Sequence, residues 1–415
     1  MDTLQLILFH FQEKNSEEAL RIIENSLSNA SEEEKYHIAY LLIEFGFIER
    51  AEEILTDLLE ENQNNSDVKS LLADIYIERM EDEKAIQLLH SIDPGDENYL
   101  TSLIQLADLY QSQGLVEVAE LKLLEAKQLS PSELLIDFAL GELYFSSGAF
   151  NEAIPCYEKI IEEKDTIGDV SIQTRLAESY ASIGEYEKAL AQFEEIDTTD
   201  PDLLFKHGLT AFHIKEYQKA IVKWKELIEI DPFYYVVYYY LGEAYLSEGM
   251  LSEAKEIVEE GIKYDEHNDN LYFLAANISL KQRELDMSKQ FIEQALQLNP
   301  EHHEYIMFYV NLLRQSFEEE RVIKLLKKAL KEYVYEPKYE WEIAKSYYEL
   351  DQLEEALRYY EEAYKTFYDT APFLREFGYF LIEYGEFERG KEMLNKYLQL
   401  EPFDEDTKEY LERLE

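Results

Sequence analysis

A small residue returns along the whole chain at near-constant spacing, and this constrains the fold more than any other feature. The column reads Ala19, Ala51, Ala85, Ala119, Ala153, Ala189, Ala220, Ala254, Ser288, Val322, Ala356 and Gly390, with 34 residues as the usual interval. A second column precedes it: Ile7, Ala39, Ala73, Ala107, Gly141, Ala177, Gly208, Gly242, Ala276, Val310, Ala344 and Gly378. Tyr follows the second column at Tyr76, Tyr110, Tyr144, Tyr180, Tyr245 and Tyr347, and Pro recurs at Pro131, Pro201, Pro232, Pro300 and Pro402. Twelve units in one register cover essentially all 415 residues, and a period of this length marks a repeat array.

Packing physics accounts for the residue types. Each unit reads as two antiparallel helices of roughly 13–15 residues. Small residues in both columns let the two backbones approach, and larger apolar residues fill the space around that contact. Gly46, Gly114, Gly148, Gly184, Gly249 and Gly385 fall where the first helix ends and a left-handed residue is wanted. In Ser130-Pro131, Asp200-Pro201, Asp231-Pro232 and Asn299-Pro300 the proline is expected at the first helical position of the next unit, where its missing N–H is harmless. No unit can bury its apolar faces alone, so the units must stack. The expectation is an all-α solenoid in one continuous array. Residues 1–167 hold units one to five and residues 168–403 units six to twelve. A polar helix at 404–415 caps the end, with Tyr410, Leu411 and Leu414 on one side.

Two consecutive intervals in the middle are irregular. Ala153 to Ala189 is 36 residues and Ala189 to Ala220 is 31, which predicts a non-standard joint near 162–202. Val310 and Val322 stand where small residues belong, so the two helices of unit ten should sit further apart.

Composition removes several function classes. The formal net charge of −50 repels a phosphate backbone and anionic lipid, so neither nucleic-acid binding nor membrane insertion is expected. The lone cysteine, Cys156, rules out an internal disulfide or a cysteine metal cluster, and it reads as a packed thiol. No apolar run approaches the roughly 18 residues of a membrane span, and no signal peptide is evident, which points to a cytoplasmic protein. No phosphate loop, nucleophile elbow, zinc-binding His-Glu-x-x-His or dinucleotide glycine set is present. His302 and His303 are adjacent and so point about 100° apart on a helix. No metal, no cofactor and no catalytic activity are expected.

The segment 100–131, with Ala107, Tyr110, Gly114, Ala119, Leu123, Ala126 and Pro131, resembles the tetratricopeptide repeat (TPR) unit. The resemblance implies a right-handed superhelix with the first helix of each unit lining its concave face. It also implies that unit positions 2, 5, 6, 9, 12 and 13 meet a partner, counting the first small residue as position 8. Position 5 in units seven to eleven is Phe205, Tyr239, Phe273, Met307 and Trp341. Position 9 in units nine to eleven is Asn277, Asn311 and Lys345. Arg314 and Tyr348 at position 12, Lys281 at position 13 and Lys338 at position 2 complete the set. Asn can both donate to and accept from a peptide backbone, and aromatic residues supply anchoring pockets. Trp341 is expected to face a partner and to add little to stacking between units, whereas Trp224 is expected in the core. Lys281, Arg314, Lys338 and Lys345 are expected to make this stretch locally positive.

The chaperone-binding clamp of some TPR proteins is a poor match. Phe273, Asn277, Phe308, Lys338 and Glu342 occupy its positions, only Asn277 and Lys338 agree, and Glu342 opposes the required charge. Across its length the chain resembles the all-TPR proteins of Bacillus-type bacteria, the YpiA kind. The resemblance implies a scaffold or adaptor that holds a protein or peptide in the groove of the superhelix. A peptide-sensing signalling regulator is the alternative; that class carries a separate head, and here the repeats start with the sequence itself.

Overall fold

The computed structural model describes residues 3–332 and 336–414. Met1, Asp2 and Glu415, which bound the first unit and the capping segment, lie outside these residues. The described chain folds into twelve consecutive helix pairs followed by one short helix. It forms two compact units, Met1–Asp197 and Thr198–Glu415, each with six pairs. The first runs from Thr3–Gln12 with Ser16–Ser26 to Ile172–Ser182 with Tyr186–Glu194. The second runs from Pro201–His213 with Tyr217–Ile230 to Ala371–Tyr384 with Phe387–Leu400, and ends in the helix Glu405–Glu412. Each unit is a helical solenoid, as the periodicity requires.

The turn inside each pair is made the same way every time. In six repeats a glycine takes positive φ there: Gly46, Gly114, Gly148, Gly184, Gly249 and Gly385. In the other six the equivalent residue is Lys14, Met80, Lys215, Arg283, Phe317 or Asp351, with φ between 56° and 66°. A side chain in this left-handed region crowds its own backbone at a cost of roughly 1–2 kcal/mol. The turn is therefore imposed by helix pairing even where the local sequence resists it.

Close approach of the two helices explains the small columns. A Cβ on Gly208 would lie 2.3 Å from the indole nitrogen of Trp224. A Cβ on Gly390 would lie 2.9 Å from the Gly378 carbonyl oxygen across the last pair. Where the column holds Ser288, its buried hydroxyl donates to the Ala276 carbonyl at 2.8 Å, so the polar atom is satisfied. Val310 and Val322 are fully buried, and the helices of their repeat approach each other less extensively than those of any other pair. This agrees with the expected wider spacing.

Many of the tyrosines bury a ring and hand the hydroxyl to a carboxylate. Tyr144 donates to Glu120 at 2.7 Å and Tyr157 to Glu142 at 2.6 Å. These bonds suit a chain rich in both residue types, because a buried hydroxyl left unpaired is costly.

The prolines behave differently from expectation. Only Pro201 of the four opens a helix, capped by Asp200, whose carboxylate accepts from the Leu203 N–H at 3.0 Å. Pro131, Pro232 and Pro300 lie in the turn ahead of helices that begin at Leu134, Val236 and His303. The chain needs these residues to reverse direction before the next helix can start.

The extra length at 162–171 forms a small hairpin. Thr166–Ile167 pairs antiparallel with Val170–Ser171 around Gly168, whose φ is 56°, and a glycine first in a two-residue turn suits such a hairpin. The first two repeats have a shortened connection of their own, with Ala19 and Ala51 only 32 residues apart, and a 3-10 turn at Leu27–Asn29 fills it. At the C-terminus, Tyr410 packs on Tyr379 at 5.0 Å and Thr407 is fully buried, so Glu405–Glu412 covers the last pair. Asp404 caps this helix through the Thr407 N–H; a hydrogen bond from the Tyr397 hydroxyl, and after it this cap, hold its carboxyl down at about 2.

Candidate functional site

The inner face can be identified from the packing. First helices approach one another directly between repeats seven and eight and between eight and nine, and no successive second helices do so to the same extent. In a curved stack the more closely spaced layer is the inner one. For repeats seven to nine that layer comprises Pro201–His213, Val236–Ser247 and Asp269–Lys281, and the first helices that follow are His303–Gln315, Pro337–Glu349 and Ala371–Tyr384. All twelve residues expected to meet a partner lie on these helices.

The position-5 column is half-buried throughout. Phe205 lies 5.3 Å from the ring of Tyr234 and 5.7 Å from Tyr240. Phe273 lies 4.7 Å from Tyr305 and 5.3 Å from Phe308 in the next repeat. Met307 packs on the same apolar cluster. Tyr239 sits beside Tyr240, and burial with the nearby Glu243 pushes its hydroxyl pKa upward. Glu243 is a position-9 residue that sequence reasoning passed over. Burial raises its carboxyl pKa, and Lys281 pulls it partly back.

Trp341 departs from expectation. Its ring lies 5.4 Å from Phe367 and 5.2 Å from Phe373, and its indole N–H donates to Glu376 at 2.8 Å. It therefore contributes to the seam between repeats eleven and twelve instead of standing clear of it. Tyr348 behaves alike, its ring 5.5 Å from Phe380 and its hydroxyl donating to Glu383. Trp224 is fully buried, as expected, with its indole N–H on the Phe205 carbonyl at 3.2 Å.

The expected positive stretch is also corrected. Arg314 pairs with Glu342 of the next repeat and donates to its backbone oxygen at 2.9 Å. Lys345 reaches Glu342 at 3.2 Å and Glu376 at 3.7 Å, and its ammonium sits 4.4 Å from the Trp341 ring centroid. Glu342 is 5% exposed. Burial alone would raise its pKa, but Lys345 and Arg314 outweigh that and hold it below the ordinary value. Two of the four cations are thus committed to internal carboxylates. Glu342 as the partner of Arg314, and Glu376 as a partner of Lys345, were missed because each lies one repeat away. A search for opposite charges offset by about one period would have found them.

What stays open is narrower. Lys281, Asn311 and Lys338 are exposed. The Asn311 side chain makes no hydrogen bond within the described residues, whereas Asn277 donates to the Phe273 carbonyl of its own helix at 3.0 Å.

Among the described residues no group of three or more His, Cys, Asp or Glu could hold a metal ion. His302 stacks on Tyr305 at 3.8 Å, while His303 meets the Tyr339 hydroxyl at 3.0 Å, so the two rings turn to different neighbours. Cys156 is half-buried, and burial pushes its thiol up to about 11. No helix of the described residues is long and apolar enough to cross a membrane.

Comparison with known proteins places these features. Models for YpiA-like tetratricopeptide repeats match residues 111–165, and for the YpiA-like C-terminal repeats residues 337–404. General tetratricopeptide models match 42–105, 235–268 and 269–302. The TPR repeat-containing protein YpiA of Bacillus subtilis (strain 168) is 35% identical over 413 residues, covering 96% of this chain and 98% of that protein. Tetratricopeptide repeat protein 21A of Mus musculus is 28% identical over 157 residues, 36% of this chain and 12% of that one. The solved structure of Naa15/Naa10 bound to HypK-THB aligns with 91% of this chain and 64% of its own, at 15% identity and a TM-score of 0.45. Tetratricopeptide repeats are a protein–protein interaction module. The chain belongs to the family of YpiA-like tetratricopeptide repeat proteins.

Proposed function

We propose that this protein is a non-catalytic cytoplasmic adaptor that holds an extended segment of a partner protein along the inner helices of residues 198–415. The observation that supports this reading is the neighbourhood of Asn311. An exposed amide with no hydrogen bond among the described residues stands on the same helix as half-buried Met307 and Phe308, between repeats that present exposed Lys281 and Lys338. The amide can pair with a peptide backbone in both directions, the apolar groups can receive side chains, and the two ammonium groups suit a carboxylate on the bound segment.

A photo-crosslinking residue introduced at Asn311 should capture a defined partner from the native cytosol. The same residue at Gln290, exposed on an outer helix, should not. Adding Lys281→Ala and Lys338→Ala should weaken capture by about tenfold, the effect of losing roughly 1.4 kcal/mol. Equal capture from both positions sinks the assignment of the face. Capture of a short free peptide alone would favour the signalling alternative.

A further inference from the structure

The turn between repeats seven and eight carries a surface that the groove does not use. Position 33 is polar in most repeats, as at Asn64, Asn98, Ser132, Asp202, Glu301 and Asp369, but here it is Phe233. Phe233 is 63% exposed. Its ring lies 5.6 Å from Tyr264 and 6.3 Å from Tyr235, and Ile230 and Val236 are exposed beside it. The turn is held firmly. The Phe233 N–H donates to the Asp231 carboxylate at 3.0 Å, the Tyr238 hydroxyl to the Pro232 carbonyl at 2.9 Å, and the Tyr234 hydroxyl to Asp202 at 2.9 Å. The aromatic group is therefore displayed by an ordered turn.

Charge decides what fits it. Tyr264 also borders a recess of about 440 Å3 lined by Glu256, Glu259, Glu260 and Lys263. None of the three glutamates forms an ion pair within the described residues. A second copy of the chain would bring the same carboxylates against themselves, at a net charge of −50 each, and like-charge juxtaposition opposes such pairing. An anionic lipid surface is disfavoured for the same reason. We infer that Phe233, Tyr264 and the glutamate recess form a docking site for a basic protein segment, one that sets a large apolar side chain on the aromatic pair and a Lys or Arg into the recess. Burying the apolar group supplies affinity, and unpaired carboxylates at a partly desolvated rim select the sign of the partner's charge.

The test uses the full chain and two labelled amphipathic helical peptides with identical leucine positions, one carrying lysines and the other glutamates. The lysine peptide should bind and the glutamate peptide should not. Phe233→Ser should weaken the lysine peptide by about tenfold or more, as loss of an aromatic anchor does. Glu256→Gln with Glu259→Gln and Glu260→Gln should weaken it comparably and flatten its salt dependence. Phe403→Ser is the control, since Phe403 is 90% exposed at the same position of the last repeat. Asn311→Ala should also leave peptide binding unchanged, which separates this site from the groove. Equal loss with Phe233→Ser and Phe403→Ser, or none with Phe233→Ser, would reduce the binding to diffuse attraction by an acidic surface. Dimerisation abolished by Phe233→Ser would assign the patch to self-association. Either outcome overturns the proposal.

Discussion

The indole N–H of Trp341 donates to the carboxylate of Glu376 in the following repeat at 2.8 Å, and the Tyr360 hydroxyl donates to the same oxygen at 2.7 Å. One acidic side chain thus gathers two aromatic residues from repeat eleven. Trp341→Ala would remove the ring from between Phe367 and Phe373 and should lower unfolding stability by about 2 kcal/mol. Trp341→Phe, which keeps the packing and loses the hydrogen bond, should cost about 1 kcal/mol. Fully buried Trp224 should cost more on replacement by Ala, about 3–5 kcal/mol. Urea unfolding of the three variants checks the order. An unchanged midpoint for Trp341→Ala would show that its contacts carry no energy.

The Arg314–Glu342–Lys345 cluster predicts a pH effect. The Glu342 pKa lies below its ordinary value of 4.5 in the folded chain. A group with a depressed folded pKa contributes stability that is present above the unfolded value and is lost as pH falls through the folded one. The stability gap between the wild type and Glu342→Gln should therefore be widest near neutral pH and close as pH falls from 4.5 through the lower folded value. Arg314→Ala, which leaves the buried carboxylate with Lys345 alone, should cost about 2–3 kcal/mol near neutral pH. A gap that widens on acidification would reverse the assignment.

Phe317 and Met80, respectively 92% and 89% exposed, occupy left-handed turns at φ 58°. Glycine at either position should raise stability by about 1 kcal/mol, because relief of backbone crowding outweighs the added chain entropy. Gly249→Ala, at φ 76°, should lower it. Thermal melts of the three variants give the sign directly.

Cys156 should be slow to react. With its thiol raised to about 11 by burial, little thiolate exists at pH 8, and the thiolate is the nucleophile. A disulfide reagent should label it far more slowly in the native protein than in denaturant. Equal rates would mean an open, ionised thiol.

The connection Glu162–Ser171 is expected to be the first site of proteolysis, although it contains an ordered hairpin. Residues 162–166, 168 and 169 are all exposed, and Lys164 offers trypsin a cleavage point there. Mass mapping after brief digestion should find this cut before any inside repeats two to five. Uniform resistance across 155–205 would mean that the hairpin protects the joint.

The repeat register was legible because it depends on side-chain size at positions fixed within one pair. Gly208 facing Trp224, or Gly378 facing Gly390, is a local requirement that a single sequence displays. The set of positions was legible to the extent that all twelve chosen residues lie on the first helix of their repeat. Their engagements were not, because these cross repeat boundaries: Arg314 to Glu342, Lys345 to Glu376, Tyr348 to Glu383. Such pairs depend on how one pair stacks on the next. The same holds for Lys255 with Glu284 and Arg389 with Glu361. Pro131, Pro232 and Pro300 misled because a proline before a helix can stand in the turn as well as at the first helical residue.

The left-handed turn has a consequence for how such a chain tolerates editing. The two small columns are separated by 12 residues in every repeat, from Ile7 and Ala19 to Gly378 and Gly390. From the second helix of one repeat to the first helix of the next the interval varies, being 20 from Ala19 to Ala39, 24 from Ala153 to Ala177 and 19 from Ala189 to Gly208. Insertions and deletions have thus been accommodated only between pairs. An added residue inside a pair would displace the one backbone position that all twelve turns share and separate faces that meet at contact distance. The helix pair behaves as an indivisible cassette, and the thread between cassettes is where a fluorophore-bearing loop, a protease site or a whole inserted domain can be spliced without unmaking the array.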